Sequence, residues 1–268
     1  LVGSEMCIRD RTDGFYTADD FTFDAEKGTY ALKAGVNDCS SLIGGKVYPG
    51  SIKLKANEDG EYKKERLGNT VPTVSGGFGL NARWKGFDFT AFFNYSLGNK
   101  IVNATKLGSS FYSGSSKNWN INDHFTSANR YSWIDPSTGT NLLSSASIKA
   151  NGEAWTINRL NEVNTGSSIW NPAAATVMPL VDWAVEDGSF LRVNNITIGY
   201  TLPKLLVSKL NIQNIRIYVT GYNLHCFTKY SGTDPEVDCC TSTPMTPGID
   251  YAAYPKSRSF VGGINVTF

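Results

Sequence analysis

Five segments of this chain alternate apolar and polar residues with a period of two, and no other feature narrows its fold as much. In "GGFGLNARW", Phe78, Leu80, Ala82 and Trp84 share one parity, against Gly79, Asn81 and Arg83. "FDFTAFFNYSLG" sets Phe87, Phe89, Ala91, Phe93, Tyr95 and Leu97 against Asp88, Thr90, Asn94 and Ser96. "NNITIGYTL" opposes Ile196, Ile198, Tyr200 and Leu202 to Asn195, Thr197, Gly199 and Thr201, and "IRIYVTGYN" opposes Ile215, Ile217, Val219 and Gly221 to Arg216, Tyr218, Thr220 and Tyr222. The chain closes on "SRSFVGGINVTF", where Phe260, Gly262, Ile264, Val266 and Phe268 face away from Ser259, Val261, Gly263, Asn265 and Thr267. Each run implies a β-strand between two unlike environments, and about ten residues is the length of a tilted strand that crosses a bilayer.

The connections carry the second constraint. Only Lys85 and Gly86 separate the first two strands, and the compact "PKLLVSKLNIQN" joins the third to the fourth. The second-to-third connection takes roughly 90 residues and the fourth-to-fifth over 30, an alternation of short turns and long loops seen in outer-membrane barrels. The expected architecture is therefore all-β: a transmembrane antiparallel β-barrel, present in part as five strands at about 76–84, 87–98, 190–202, 214–224 and 259–268. Residues 99–187 and 225–257 are then extracellular loops, and 12–75 a further extracellular loop region. Short helices are expected near Ile121–Ala128 and Glu153–Glu162, and a small hairpin in "FTFDAEKGTYAL". The competing architecture is a secreted carbohydrate-binding β-sandwich, whose apolar strand faces would pack on one another.

Composition agrees with a turn-rich β protein. Charged residues make up 18%, below the roughly 25% of soluble domains. A net charge of +1 offers no basic footprint for nucleic acid. No run reaches the length of a transmembrane helix, which leaves a barrel untouched as a possibility. Residues 1–11, "LVGSEMCIRDR", show neither the charged nor the apolar region of a secretory signal and read as a foreign tail on a fragment of a longer protein.

"VEDGSFLRVNNITIGYTLP", "IRIYVTGYNLHCFTKYSGTDPEV" and "YPKSRSFVGGINVTF" closely resemble the C-terminal end of the SusC/RagA family of TonB-dependent outer-membrane transporters. "YPGSIKL", "RLGNTVP" and "RWKGFDFTAFFNYSLGNKIVNATK" match the same family in the same order, so the resemblance spans nearly all of 12–268. It implies a barrel of about 22 strands closed by a plug, of which this chain would supply the last five. It further implies import of glycan fragments or peptides across the bacterial outer membrane. A SusD-like surface lipoprotein would act as lid, and the TonB complex would act through parts of the transporter N-terminal to this chain. Phe268 resembles the terminal aromatic that barrel-assembly machinery recognises. The family's Asp-rich, calcium-like turn is shortened here to "SIKLKANEDGEYKKER", and Asn57, Glu58 and Asp59 are too few oxygen ligands for a site, so no metal is expected.

The residues themselves suggest no catalysis. His124 and His225 lie far apart in sequence and lack partners at the spacing of a triad or a zinc hydrolase, so no enzyme and no cofactor is expected. Cys226 with Cys239 or Cys240 is the candidate disulfide of the final outer loop. The same cysteines with His225 fit no usual zinc spacing. Aromatics of the long segments, chiefly Trp119, Trp133, Trp155 and Tyr230, are candidates for substrate contact, though such residues more often pack a loop on itself. Trp84, Phe87, Tyr200 and Phe268, at strand ends, are candidates for an interfacial girdle against lipid.

Overall fold

The computed structural model describes residues 8–57, 60, 62, 64–112, 121–177, 179–207, 212–236, 248–251 and 254–268. Its strands are β1 (Ile8–Asp10), β2 (Thr12–Phe15), β3 (Phe21–Asp24), β4 (Thr29–Leu32), β5 (Ile52–Leu54), β6 (Lys64–Arg66) and β7 (Val74–Trp84). They continue as β8 (Phe87–Leu97), β9 (Lys100–Asn103), β10 (Val185–Asp187), β11 (Phe190–Thr201), β12 (Asn214–Thr228), β13 (Ile249–Asp250) and β14 (Ser259–Thr267). Among the described residues they are joined by the α-helices α1 (Ser40–Ile43), α2 (Ala104–Gly108), α3 (Ser145–Val163) and α4 (Lys204–Val207). None of these is long and apolar enough to cross a membrane.

The chain divides into two compact units, one built from 68–103 and 185–268, the other from 8–67 and 104–184. The first holds a five-stranded sheet in the order β14-β12-β11-β8-β7, antiparallel throughout. Trp84 pairs with Phe87 across a two-residue turn in which Lys85 and Gly86 both have positive φ, 46° and 91°. That is the type I′ geometry whose twist matches the flanking strands.

Residues paired across strands project from the same face, so the register sorts every side chain. One face carries Phe78, Leu80, Trp84, Phe87, Phe89, Ile198, Ile217, Val219, Phe260 and Ile264, each of them exposed. The opposite face carries Asn81, Arg83, Asp88, Thr90, Asn94, Arg192, Thr197, Arg216, Thr220 and Asn265. This sheet is the reverse of a sandwich layer, because its apolar side is uncovered and its polar side carries the hydrogen bonds.

Two irregularities keep the faces unmixed. The β8–β11 register shifts between Val193 and Asn195, and β12 answers with two residues, Asn223 and Leu224, opposite the single Asn194. Asn223, at φ 51°, takes the left-handed conformation that Asn tolerates better than most residues. The bulge lets β12 run on to Thr228, with His225 and Phe227 on the apolar side and Cys226 and Thr228 on the polar side. A small sheet, β10-β9-β13, prolongs this unit and is pinned where Tyr230 Oη donates to Asp250 at 2.6 Å and Ser231 to Glu186 at 2.7 Å.

The second unit has a core of its own. Tyr16, Phe21, Ile43, Ile52 and Leu54 from the earlier segment bury against Tyr131, Leu142, Ile148, Leu160 and Trp170 from the later one. β1 pairs with β6, β2 with β5, and β3 with β4 in the hairpin expected from its sequence. Gly50 (φ 86°) lies against the Tyr131 ring, where a Cβ would come within 2.4 Å of Cδ1. The expected helix over Ile121–Ala128 is absent: those residues form turns in which Asn122 and Asn129 side chains accept from His124 and Thr126 backbone N–H groups, in competition with helix. The second expected helix lies inside α3, capped by Ser144, which accepts from Ser147 N at 3.2 Å, and kinked at Gly152 (φ 76°).

Candidate functional site

The polar face of the five-stranded sheet gathers the chemistry. Toward the tight-turn end, Arg216 Nε and Nη2 donate to the two Asp88 carboxylate oxygens at 2.8 and 2.5 Å, reaching from β12 to β8 across β11. The residue between them is Gly199, where a Cβ would stand 2.5 Å from Asp88 Oδ1 and 2.6 Å from Arg216 Nη2. The glycine of "ITIGY" therefore makes room for a bidentate ion pair over the intervening strand. Near the middle, Thr197 and Thr220 hydroxyls bond at 2.8 Å. Tyr218 covers Gly263 and Phe92 covers Gly77, with ring atoms where a Cβ would lie.

At the other end, Arg192 and Asp234 are buried together, 2% and 4% exposed. Arg192 donates through Nη2 to Asp234 Oδ1 and through Nη1 to Asn223 Oδ1, and its Nε stands 2.5 Å from Glu236 Oε2. Lys256 Nζ donates to the same Glu236 oxygen at 2.8 Å, and Asn94 Nδ2 to Glu236 Oε1 at 3.2 Å. Asn223 Nδ2 reaches the Lys256 carbonyl at 2.8 Å. Two cations thus neutralise two carboxylates, and the bulge residue binds the chain that leads into β14. The segments "FLRVNN", "TDPE" and "YPKS", far apart in sequence, meet in this one network.

The residues singled out from sequence are distributed differently. Trp84, Phe87 and Tyr200 come together at the tight-turn end of the apolar face, with the Phe87 and Tyr200 rings 4.5 Å apart, and Phe268 follows β14 with 80% exposure. Trp133 is drawn into packing in the second unit: Nε1 donates to the Pro49 carbonyl at 2.6 Å and the ring leans on Tyr48. Trp155, on α3, is 43% exposed. Tyr230 belongs to the other unit, where burial, and then its bond to Asp250, pushes its phenol above the ordinary range. Trp119 lies outside the described residues. Cys226 is a free thiol on the polar face, while Cys239 and Cys240 lie outside the described residues.

Periodicity alone missed the Arg192 network. The available signal was a basic residue in a polar-parity position of a strand, followed downstream by the acidic pair of "TDPE". Phe92 on the polar face was likewise concealed, because an aromatic between Ala91 and Phe93 blends into the apolar run.

No family model matches the chain. It is 29% identical over 249 residues to TonB-dependent receptor P3 of Formosa agariphila, a match covering 90% of this chain and 21% of that protein. It is 34% identical over 89 residues to TonB-dependent receptor SusC of Bacteroides thetaiotaomicron, covering 32% of this chain and 8% of SusC. Among solved structures, a chain of the RagAB peptide transporter superposes with a TM-score of 0.53 at 21% identity, over 97% of this chain and 22% of its own length, which is a likeness of fold. The chain thus spans about a fifth of the length of these long relatives. The curated homologues of this chain are thus TonB-dependent receptors, SusC among them, which are proteins of the bacterial outer membrane, and its fold is like that of a chain of the RagAB peptide transporter.

Proposed function

We propose that the five-stranded sheet is a section of the wall of an outer-membrane import barrel, its apolar face toward lipid and its polar face toward the lumen. The sidedness of the sheet carries this reading: exposed Leu80, Phe89, Ile198, Ile217, Val219 and Ile264 on one side, ion pairs and the Thr197–Thr220 hydroxyl bond on the other. Sheet faces in water bury the apolar side, whereas lipid inverts the preference. Trp84, Phe87, Tyr200 and Phe268 then form the inner interfacial girdle. The long connections, and the compact unit they build, face the cell exterior. Glycan fragments or peptides are the cargo, with a SusD-like lipoprotein as lid and the TonB complex supplying energy through the rest of the transporter. The relatives' names and the RagAB fold support this, and the sandwich alternative would need the apolar face covered.

Spin labels in the full-length transporter in outer-membrane vesicles test it. Labels at Leu80, Ile217 and Ile264 are expected to relax with oxygen dissolved in lipid, and labels at Asn81, Tyr222 and Asn265 with an aqueous nickel complex. Aqueous accessibility at the first three would reject the wall assignment.

A further inference from the structure

The tight-turn end of the five-stranded sheet has an unbalanced charge. Across 83–88, 200–207, 212–216 and 264–268 the charged side chains are Arg83, Lys85, Asp88, Lys204 and Arg216, four cations to one carboxylate. Arg216 takes both oxygens of Asp88, and among the described residues Arg83, Lys85 and Lys204 have no ion pair of their own. Arg83 lies on the polar face. Lys85 stands on the other side, its Nζ 5.0 Å from the ring of Trp84 on the apolar face.

Lys85 is also an unusual residue for its place. It takes φ 46° at the first central position of the type I′ turn, which Asn, Asp or Gly fills with least strain. No ion pair among the described residues accounts for a lysine there, and a backbone outlier of this kind points to function. Thr201 N donates to the Gly86 carbonyl at 2.8 Å, which ties the chain leaving β11 to the same turn. That chain forms α4, where Val207 is buried but Leu205 and Leu206 are 84% and 63% exposed and Lys204 is exposed beside them.

Exposed leucines flanked by lysines suit the boundary between acyl chains and headgroups. There leucine enters hydrocarbon, and the long lysine stem carries its ammonium out to phosphate. The surplus of cations complements a headgroup of net negative charge, whereas a zwitterionic headgroup has no net charge to answer it. Exposed Trp84 and Phe87 continue from this end into the apolar face, so the surface extends the side already turned to lipid. We infer that this end of the sheet, through Lys85 and Lys204 with Trp84, Leu205 and Leu206, docks on the inner leaflet and selects anionic phospholipid. The inference rests on the import-barrel reading and names the lipid at one end of its wall.

The test uses the full-length transporter in nanodiscs of equal parts phosphatidylglycerol and phosphatidylcholine. A bimane label sits at Leu205→Cys, in a background freed of other reactive cysteines, and bromine is carried on the chains of one lipid or the other. Brominated phosphatidylglycerol is expected to quench the label more strongly, with a local preference of about three- to fivefold for each lysine. The preference should fade in about 0.5 M NaCl. Lys85→Asn, which suits the turn better and keeps the hairpin, together with Lys204→Gln, should bring the two lipids to equal quenching without lowering the melting temperature. Equal quenching in the parent, or a preference that survives both substitutions, overturns the inference. So does a label that neither lipid quenches, which would mean that protein covers α4. A second label, at Leu80, separates the levels. If both lipids quench it while Leu205 shows no preference, the wall stands and only the headgroup selection falls; a Leu80 label beyond the reach of either lipid removes the barrel reading as well.

Discussion

At the scale of single residues, Arg192 is the position on which most depends. Its guanidinium is shared among Asp234, Glu236 and Asn223 in a buried setting, so removing it leaves the Asp234 carboxylate buried without a cation, while Glu236 keeps Lys256. Arg192→Met is expected to destabilise the full-length protein by about 3–5 kcal/mol, and adding Asp234→Leu to recover part of that loss, because a buried pair replaced on both sides leaves no uncompensated charge. Chemical denaturation of the two variants in detergent checks this; a double variant no more stable than the single would count against it. Asp135 poses a different electrostatic case in the second unit. Arg159 holds both its oxygens at 2.7 Å, and Ser137 adds two more donors, so its carboxyl is held well below the usual range. A depressed folded value means that the stabilisation is complete above the unfolded carboxyl's value of about 4 and is lost as pH falls below it toward the folded value. Asp135→Asn should therefore lower the melting temperature at about pH 7 and differ less from the parent at about pH 3, as followed by tryptophan fluorescence.

Among elements, the strand is the informative unit, since parity converts one residue step into a change of solvent. Leu80 and Asn81 are neighbours in β7, both exposed, and face opposite ways. Leu80→Arg is expected to cost about 2–4 kcal/mol if it lies near the bilayer midplane, whereas Asn81→Arg, on the face that already holds Arg83, should cost about 0–1 kcal/mol. Equal penalties in a folding titration into lipid would contradict the sidedness. The bulge at Asn194 and Asn223–Leu224 extends the same logic, because without it the residues beyond would exchange faces, and Arg192 would point out of the apolar face.

On the scale of the whole molecule, the described residues present an uncovered apolar face, and among them no strand pairs with the outer edges of β7 and β14. Expressed alone, it should aggregate in aqueous buffer and become monodisperse only with detergent or lipid; sedimentation with and without detergent decides, and a monodisperse aqueous monomer would sink the wall assignment. The sequence by itself determined the two-sided strands, their tight turn and the resemblance to SusC/RagA transporters, because parity and turn chemistry depend only on neighbours along the chain. Those same local signals overstated helix at Ile121–Ala128, where Asn side chains hold the backbone in turns. Tertiary structure alone decided three things: the bulges that realign the faces, the core joining 8–67 to 104–184, and the network that brings Asn94, Arg192, Asp234, Glu236 and Lys256 together. Asn94 and Glu236 are 142 positions apart in sequence. Charges so far apart along the chain acquire a common environment only when the strands between them pair, and no period within a strand records that meeting.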